Sequence, residues 1–255
     1  MKNTFSPPAN KMVAMIRHRN LRGSVLLAAL GLCLAVSPYR YLQSTGEPAP
    51  AATPVNLGDL KLRITQYKQS GAYDRDVAAV LARARQYVER RASMVRMPAI
   101  VLDIDDTSLS SWPRIQANDY GGITNGPCNL PAGPCGQIAW QQSAQAEAIV
   151  PTLELFKAAK AKGVSVFFIT GRREMLRAAT ETNLRKAGFE GFTALALRPE
   201  GPPTPSVVDY KSSERAKIAA RGFTIIANVG DQPSDLAGGY AERTFLVPNP
   251  FYRIP

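Results

Sequence analysis

The stretch "VLDIDDTSLS", residues Val101–Ser110, decides the fold class and locates the candidate site. It continues the hydrophobic run "AIVL", which is typical of a strand buried on both faces of a sheet. Three carboxylates, Asp103, Asp105 and Asp106, follow this run almost without a break. Like charges repel and raise each other's pKa, so such a cluster needs a compensating charge, usually a bound cation. The rest of the chain must therefore supply either a positively charged side chain or further groups that would bind a cation.

Segments with the pattern of buried strands alternate with segments of helical periodicity. Residues 57–95 have hydrophobic side chains at helical spacing and are predicted to form two helices. The predicted strands are "AIVLD" (99–103), "VSVFFIT" (164–170), "FTALAL" (192–197), "FTIIANVGD" (223–231) and "TFLVP" (244–248), and further helices are predicted over 151–163, 173–188 and 211–222. This alternation predicts an α/β fold whose mostly parallel sheet has helices on both faces. Residues 107–148 are predicted to form an irregular insert.

Polar residues follow three of the predicted strands. Asp103, Thr170 and Asp231 each end one strand, and Lys211 is predicted to open a helix. Ligands bind at the carboxyl ends of the strands in parallel sheets. We therefore expect these four side chains to meet at one edge of the sheet and to form a site.

The positive charge of the chain is concentrated at its N-terminus. The formal net charge is +11 and the sequence pI is about 9.8. Residues 1–46 contain six basic side chains and no acidic one, so the excess over the remaining residues is +5. No basic run is interleaved with aromatic residues, and this distribution argues against a nucleic-acid partner.

The N-terminal residues have the pattern of an export signal. A basic segment precedes the short hydrophobic run "SVLLAALGLCLAV" (24–36), which predicts a signal peptide or an uncleaved anchor within residues 1–37. A lipoprotein site at Cys33 is disfavoured because Leu32 precedes it. A Pro/Ala-rich linker is expected over 38–56, before a folded domain at 57–255. The expected location is periplasmic or secreted, or membrane-anchored through the N-terminal segment alone.

Two cysteines of the insert lie in "GPCNLPAGPCG". In an oxidising compartment Cys128 and Cys135 most simply form a disulfide, with two free thiols as the alternative. A zinc site needs about four ligands, and no further Cys or His lies nearby.

Several classes of catalysis lack their residues in this sequence. The single histidine, His18, precedes the predicted signal core, which removes Ser-His-Asp catalysis, histidine phosphoryl transfer and His-ligated zinc from the folded domain. The cysteines do not fit Cys-x5-Arg, and no phosphate-binding glycine loop or dinucleotide motif occurs. Any enzyme chemistry must use carboxylates, Lys, Thr and a hard metal ion.

Four ordered motifs identify a resemblance to a known family. The chain contains "DIDDT", then "FFITGR", then "YKSSER", then "NVGDQPSD". This order resembles the haloacid dehalogenase (HAD) superfamily, within the acid phosphatase branch that includes class B acid phosphatases and plant vegetative-storage-type phosphatases. The resemblance covers roughly residues 57–255 and implies a HAD-like fold, with N-terminal helices and a small insert near the active site.

The resemblance also implies roles for individual residues. Asp103 corresponds to the nucleophile, and Asp105 to the general acid and base. Lys211 would neutralise charge on the phosphoryl group and on Asp103. Residues expected to bind the substrate phosphoryl group are Thr170, Gly171 and Arg172. The residues expected to bind Mg²⁺ are Asp103, Asp105 through its carbonyl, Asp231 and Asp235. Asp106 is interpreted as a turn or helix-cap residue.

The function that follows is an exported, Mg²⁺-dependent acid phosphatase. It would hydrolyse small-molecule phosphomonoesters through an aspartyl-phosphate intermediate. A storage or phosphate-binding protein of the same fold is the main alternative. A phosphorylated receiver domain also uses paired acids, Thr and Lys, but the predicted signal sequence argues against it. Trp112, Tyr120 and Trp140 in the insert are expected to pack rather than to stack on substrate.

Overall fold

The computed structural model describes residues 53–201 and 206–254. Its five strands form one parallel sheet in the order β3-β2-β1-β4-β5. The strands are β1 (Pro98–Leu102), β2 (Ser165–Arg173), β3 (Ala194–Arg198), β4 (Thr224–Gly230) and β5 (Thr244–Leu246). The sequence-based prediction of an α/β fold with a mostly parallel sheet is confirmed.

Eight α-helices surround this sheet within the described residues. They are α1 (Leu57–Gln69), α2 (Ala72–Arg91), α3 (Trp112–Ala117), α4 (Gln137–Ser143), α5 (Val150–Ala161), α6 (Arg177–Lys186), α7 (Val207–Ala220) and α8 (Pro233–Leu236). The two helices predicted over residues 57–95 are α1 and α2. The helix predicted from Pro151 is α5, which begins one residue earlier, with Pro151 in its first turn and Gly163 beyond its end.

The hydrophobic residues of the central strand β1 pack on both faces of the sheet. Ile100 and Leu102 belong to the larger core, to which α2 and α5 also contribute. Ala99 and Val101 point to the other face and pack in a smaller core with Tyr210 of α7. Because helices cover both faces, every residue of the strand is apolar, and polar side chains begin only where the strand ends.

Three local predictions differ from the structure. Helix α7 begins at Val207, so the prediction that Lys211 opens a helix is wrong. The Oγ of Ser206 accepts a hydrogen bond from the Asp209 amide and caps the helix at that earlier point. Strand β2 continues past Thr170 to Arg173, although its regular pairing with β3 is interrupted after Ile169. The insert predicted to be irregular contains the short helices α3 and α4.

The predicted N-terminal signal or anchor and most of the predicted linker lie outside the described residues. The described part begins with a short extended segment, and Asn56 caps α1 by accepting a hydrogen bond from the Gly58 amide at 2.8 Å. None of the helices in the described part of the chain has the length and hydrophobicity of a membrane span.

The predicted disulfide between Cys128 and Cys135 is present in the insert. Asn118, which ends α3, also holds this segment. Its side-chain amide donates to the Cys135 carbonyl at 2.8 Å, and its carbonyl oxygen accepts from the Cys135 amide at 2.8 Å. This segment of the insert is therefore held by one covalent bond and by two hydrogen bonds between Asn118 and Cys135.

Replacing both cysteines, as Cys128→Ser with Cys135→Ser, should leave a folded protein. The cysteines are only seven positions apart in the sequence, so closing this loop restricts the unfolded chain little, and the free energy of unfolding should fall by no more than about 3 kcal/mol. Urea unfolding of the oxidised parent and the double variant measures the difference. A variant that is unfolded in the absence of urea would show that the disulfide holds the whole domain together.

Candidate active site

Three buried carboxylates meet at the carboxyl edge of the sheet. Asp103 follows β1, Asp231 follows the neighbouring strand β4, and Asp235 lies in α8. One carboxylate oxygen from each of the three lies within 4.8 Å of the others. The ends of adjacent parallel strands meet, and this brings residues that are distant in the sequence into one cluster.

Lys211 places a positive charge inside this cluster. It extends from α7, is almost fully buried, and donates to Asp235 Oδ1 at 2.6 Å and to Asp103 Oδ1. Burial lowers the pKa of Lys211, but the charges of Asp103 and Asp235 outweigh burial and leave the pKa raised. The lysine is therefore held in its charged form between two carboxylates.

The remaining negative charge exceeds what the lysine supplies. Burial raises the pKa of Asp103 well above its ordinary value; Lys211 opposes this, while Asp235 and Asp231 raise it further. Burial and the charge of Asp235 also raise the pKa of Asp231. A fold that collects so much like charge is suited to a hard divalent cation with oxygen ligands. The donor set thus fits a metal, because Lys211 contacts only one oxygen of Asp103 and does not contact Asp231.

Asp231 and Asp235 are held in place by different contacts. Asp231 accepts from the Thr107 hydroxyl at 2.9 Å and from the Asn249 amide at 2.6 Å. Asp235 uses its second oxygen to accept from the Gln232 backbone amide at 2.9 Å, a bond that closes the first turn of α8. Asp235 therefore has both a capping role and an ion pair, whereas Asp231 is oriented by side chains alone.

Gly230 allows α8 to approach β4. A methyl group at this position would lie 2.4 Å from the Cβ of Asp235, closer than two carbon atoms can come. The glycine in "NVGDQPSD" therefore has a steric role, because only a hydrogen atom fits between the strand end and the carboxylate.

Asp105 forms an ion pair with Arg172. The guanidinium donates from Nε to Asp105 Oδ2 at 3.0 Å and from Nη2 to Oδ1 at 2.8 Å, while Gln141 contacts Oδ2 at 3.3 Å. Burial raises the pKa of Asp105, but the charge and hydrogen bonds of Arg172 outweigh burial and the net pKa is lowered. In this state Asp105 is ionised and lies at the wall of the same cavity as Asp103.

The predicted phosphoryl-binding residues lie beside Asp103 with different surroundings. Thr170 is buried, and its hydroxyl accepts from the Arg172 amide at 3.2 Å. Gly171 is exposed and lines the cavity with Thr170 and Lys211. The guanidinium of Arg172 is engaged by Asp105 and also by the Thr180 hydroxyl at 3.2 Å. Its predicted contact with substrate stays a prediction and requires a rearrangement of these bonds.

Asp106 is a buried turn residue, as its position in the motif indicated. Its φ of 55° lies in the left-handed region, and it accepts from the Ser111 amide and the Tyr252 hydroxyl, each at 2.8 Å. Burial and, to a smaller extent, the negative charge of Asp231 raise the pKa of Asp106 to about 7. These bonds connect the loop after β1 to the segment near residue 252.

The site opens into a cavity of about 400 Å³, a size typical of small-ligand pockets. One wall is the sheet edge with the carboxylates and Lys211. The insert supplies another wall, and residues after β5 also line the cavity, namely Phe251, Tyr252 and Ile254. Trp112 packs on Phe251 with ring centroids 5.3 Å apart, as expected for an aromatic residue with a packing role.

The lining residues that sequence reasoning missed include Arg114, Gln141, Phe251 and Tyr252. None belongs to the four motifs, and their positions depend on how the insert and the final residues fold back over the sheet. Of these residues, Arg114 had the clearest signal in the sequence, because it is a basic side chain in the insert soon after the carboxylate motif.

Gly230→Ala should destabilise the protein by about 1–3 kcal/mol, because the methyl group forces Asp235 and α8 away from the strand end. Gly122→Ala is the matched control, since no heavy atom lies within 4 Å of the added carbon there. Chemical unfolding of both variants measures the cost. Equal stability of the two variants would contradict the steric role given to Gly230.

Comparison with known proteins agrees with this architecture. The chain is 36% identical over 157 residues to the Stem 28 kDa glycoprotein of Glycine max, covering 60% of this chain and 59% of that protein. It is 34% identical over 155 residues to Acid phosphatase 1 of Solanum lycopersicum, covering 60% and 58%. For Vegetative storage protein 1 of Arabidopsis thaliana the identity is 32% over 156 residues, covering 61% and 55%. The chain thus spans less than two thirds of the length of these relatives.

A solved structure shows the same fold. The class C acid phosphatase of Bacillus anthracis with tungstate bound matches with a TM-score of 0.60 and 21% identity, covering 78% of this chain and 87% of that one. The family model of the HAD superfamily, subfamily IIIB (acid phosphatase), matches residues 51–255. The chain therefore belongs to the acid phosphatase subfamily IIIB of the HAD superfamily.

Proposed function

We propose that this protein is an exported, Mg²⁺-dependent acid phosphatase that hydrolyses small phosphomonoesters through an aspartyl-phosphate on Asp103. The observation that carries the proposal is the pairing of buried Asp103 with Lys211 at the floor of a cavity that Asp105 also lines. A carboxylate nucleophile, a cation for phosphoryl charge and a second acid are the groups that this reaction needs.

In the first step an Asp103 oxygen attacks phosphorus and the bond between phosphorus and the leaving-group oxygen breaks. Protonated Asp105 gives its proton to that oxygen, so the leaving group departs as an alcohol. Lys211 balances negative charge on Asp103 and on the phosphoryl group. The Thr170 hydroxyl and the Gly171 amide are assigned as donors to phosphoryl oxygens, since both line the cavity beside Asp103.

In the second step water attacks the phosphorus of the aspartyl-phosphate. Asp105, now ionised, removes a proton from that water, and Asp103 leaves as a carboxylate with inorganic phosphate as the product. Asp105 begins and ends the cycle in the same protonation state. Its ion pair with Arg172 must loosen during the cycle, because a carboxyl group that donates a proton cannot keep both oxygens on the guanidinium.

Mg²⁺ is assigned to Asp103, Asp231 and the Asp105 carbonyl, with Asp235 supporting the site through Lys211 and α8. When bound, Mg²⁺ would offset the carboxylate charge and act as a Lewis acid toward a phosphoryl oxygen. The raised pKa of Asp103 and of Asp231 supports this assignment, because a cation would favour the ionised form of both groups.

Export is part of the proposal. The segment 1–37 is assigned as a signal peptide or anchor and 38–56 as a linker to the folded domain. The Cys128–Cys135 disulfide supports this assignment, because such bonds persist in oxidising compartments. A relative named as a storage protein is 32% identical to this chain over 156 residues, so a storage or phosphate-binding role is the alternative that turnover measurements must exclude.

Removal of divalent cations should reduce turnover of 4-nitrophenyl phosphate by at least about 100-fold, and excess Mg²⁺ should restore it. The physical reason is that uncompensated carboxylates at the sheet edge repel the phosphate dianion. Elemental analysis must confirm that the metal is gone. Full turnover in the metal-free protein would refute the metal requirement, and no turnover with any phosphomonoester and Mg²⁺ would favour the storage alternative.

Asp103→Asn and Asp105→Asn should fail at different steps. Asp103→Asn removes the covalent route and should give no phosphoenzyme. Asp105→Asn should slow turnover by about 10²–10⁴-fold per limiting proton transfer. With 4-nitrophenyl phosphate the leaving group needs little protonation, so phosphate should accumulate on Asp103. Mass spectrometry of the peptide that contains Asp103, before and after hydroxylamine, measures this intermediate.

Asp119→Asn is the control for that pair, since Asp119 is an exposed carboxylate whose partner is Lys61 on the surface. It should keep the kinetics of the parent. Phosphate found on Ser, Thr or Lys, or parental turnover by Asp103→Asn, would mean that the aspartyl-phosphate mechanism is wrong.

A further inference from the structure

Arg114 is a buried cation whose side chain makes no hydrogen bond or ion pair with the described residues. It lies in α3 of the insert, its residue is 8% exposed, and it lines the cavity of the candidate active site. Its Nε atom is buried and has no hydrogen-bond partner. Its guanidinium makes no ion pair with any carboxylate in the described part of the chain.

The other buried cations among the described residues all have partners. Arg172 pairs with Asp105, and Lys211 pairs with Asp103 and Asp235. Arg215 donates to backbone carbonyls, including that of Asp235 at 2.8 Å. An unpaired buried charge is costly, and folds retain one where a ligand supplies the missing partner.

No carboxylate of the site is bonded to Arg114 in this state, although the charge of Arg114 helps to lower the pKa of Asp105. Asp105, which lines the same cavity, already accepts from Arg172 and from Gln141. The oxygens of Asp103 and Asp235 that face α7 are taken by Lys211. Among the described residues no side chain supplies the missing partner of Arg114, and an anion that enters the cavity would supply it.

The position of Arg114 indicates which part of a substrate it meets. The transferred phosphoryl group belongs at the sheet edge, where Asp103, Thr170 and Lys211 lie. Arg114, by contrast, belongs to the insert wall of the cavity, together with Ile115 and Trp140. This wall would face the remainder of a bound molecule. A planar guanidinium there matches a second anionic group, because it can donate two parallel hydrogen bonds to a carboxylate or phosphate.

We propose that Arg114 binds a second anionic group on the leaving group of the substrate, so that the preferred substrates are phosphomonoesters that also carry a carboxylate or a second phosphate. This inference rests on the proposed phosphatase function. Arg114 is then a specificity-determining residue of the insert, separate from the residues that transfer the phosphoryl group.

Matched substrates test the proposal. Phenyl phosphate and its 3-carboxy and 4-carboxy derivatives share a leaving oxygen and differ in one anionic group. The parent should show a higher kcat/KM for at least one carboxylated substrate. Arg114→Gln should lower the ratio of carboxylated to plain kcat/KM by about 10- to 100-fold, the size expected for a lost charge-assisted hydrogen bond. Arg114→Lys should recover part of the ratio.

Arg173→Gln is the matched control, because Arg173 lines the same cavity but already donates to the Pro199 carbonyl at 2.9 Å. Its ratio should stay within about twofold of the parent, as expected for a charge that is not in contact with the ligand. The proposal is overturned if Arg114→Gln leaves the ratio of carboxylated to plain kcat/KM unchanged. This would happen if kcat/KM fell equally for both substrates or for neither. An equal fall of the ratio in Arg173→Gln would also overturn the proposal, because it would indicate a general effect of charge.

Two further measurements do not depend on turnover. The melting temperature of Arg114→Met should equal or exceed that of the parent, because an unpaired buried charge is removed. A lower melting temperature would show that Arg114 has partners in the resting protein and would overturn the premise. Calorimetric binding of benzylphosphonate and 4-carboxybenzylphosphonate to the full protein should show the same Arg114-dependent preference. If the Arg114-dependent binding preference is seen without turnover, the phosphatase function is wrong and the anion site is supported. If turnover is seen without this preference, the phosphatase function is supported and the anion site is wrong.

Discussion

The ion pairs of Lys211 with Asp103 and Asp235 are the interaction on which the rest of the site depends. They connect the end of β1, the helix α7 and the short helix α8 at one edge of the sheet. The buried lysine stays charged because the two carboxylates beside it raise its pKa. The arrangement still contains more carboxylate than cation, since Asp231 lies in the same cluster and has only neutral donors. Lys211 thus compensates part of the charge of the opening carboxylate motif, and the proposed cation would compensate the rest.

The two ends of the cavity have different origins. The sheet edge is made from strand ends and α7, whose positions follow from packing on both faces of the sheet, and it holds the groups that we propose for phosphoryl transfer. The facing wall is made from the insert, which is held by the Cys128–Cys135 disulfide and by Asn118. A rigid sheet edge beneath a separately held insert allows the choice of substrate to change without disturbing the reacting groups. The unpaired guanidinium of Arg114 belongs to this second, adjustable part.

The fold and the centre of the site follow from the sequence because both depend on short-range patterns. Apolar runs that end in Asp103 and Asp231 predict parallel strands whose ends meet, and the structure brings these carboxylates together. The start of α7 is predicted less well, because the helical pattern is clearest after Lys211, whereas the helix begins where the Ser206 side chain caps it. Arg114 and Tyr252 escaped prediction for a different reason. Their places at the cavity depend on long-range folding of the insert and of the segment after β5, which leaves no periodic or motif signal in the sequence.

The claim that the buried carboxylate cluster holds a divalent cation can be tested by crystallography with Mn²⁺, which shares the oxygen-ligand preference of Mg²⁺ and scatters anomalously. Crystals of the protein equilibrated with Mn²⁺ should show one strong anomalous peak in contact with Asp103 and Asp231. The Asp231→Asn variant should lose that peak under the same conditions while keeping the fold. Full occupancy of Mn²⁺ elsewhere, or a cluster that stays empty at millimolar Mn²⁺ with Lys211 alone between the carboxylates, would contradict the account.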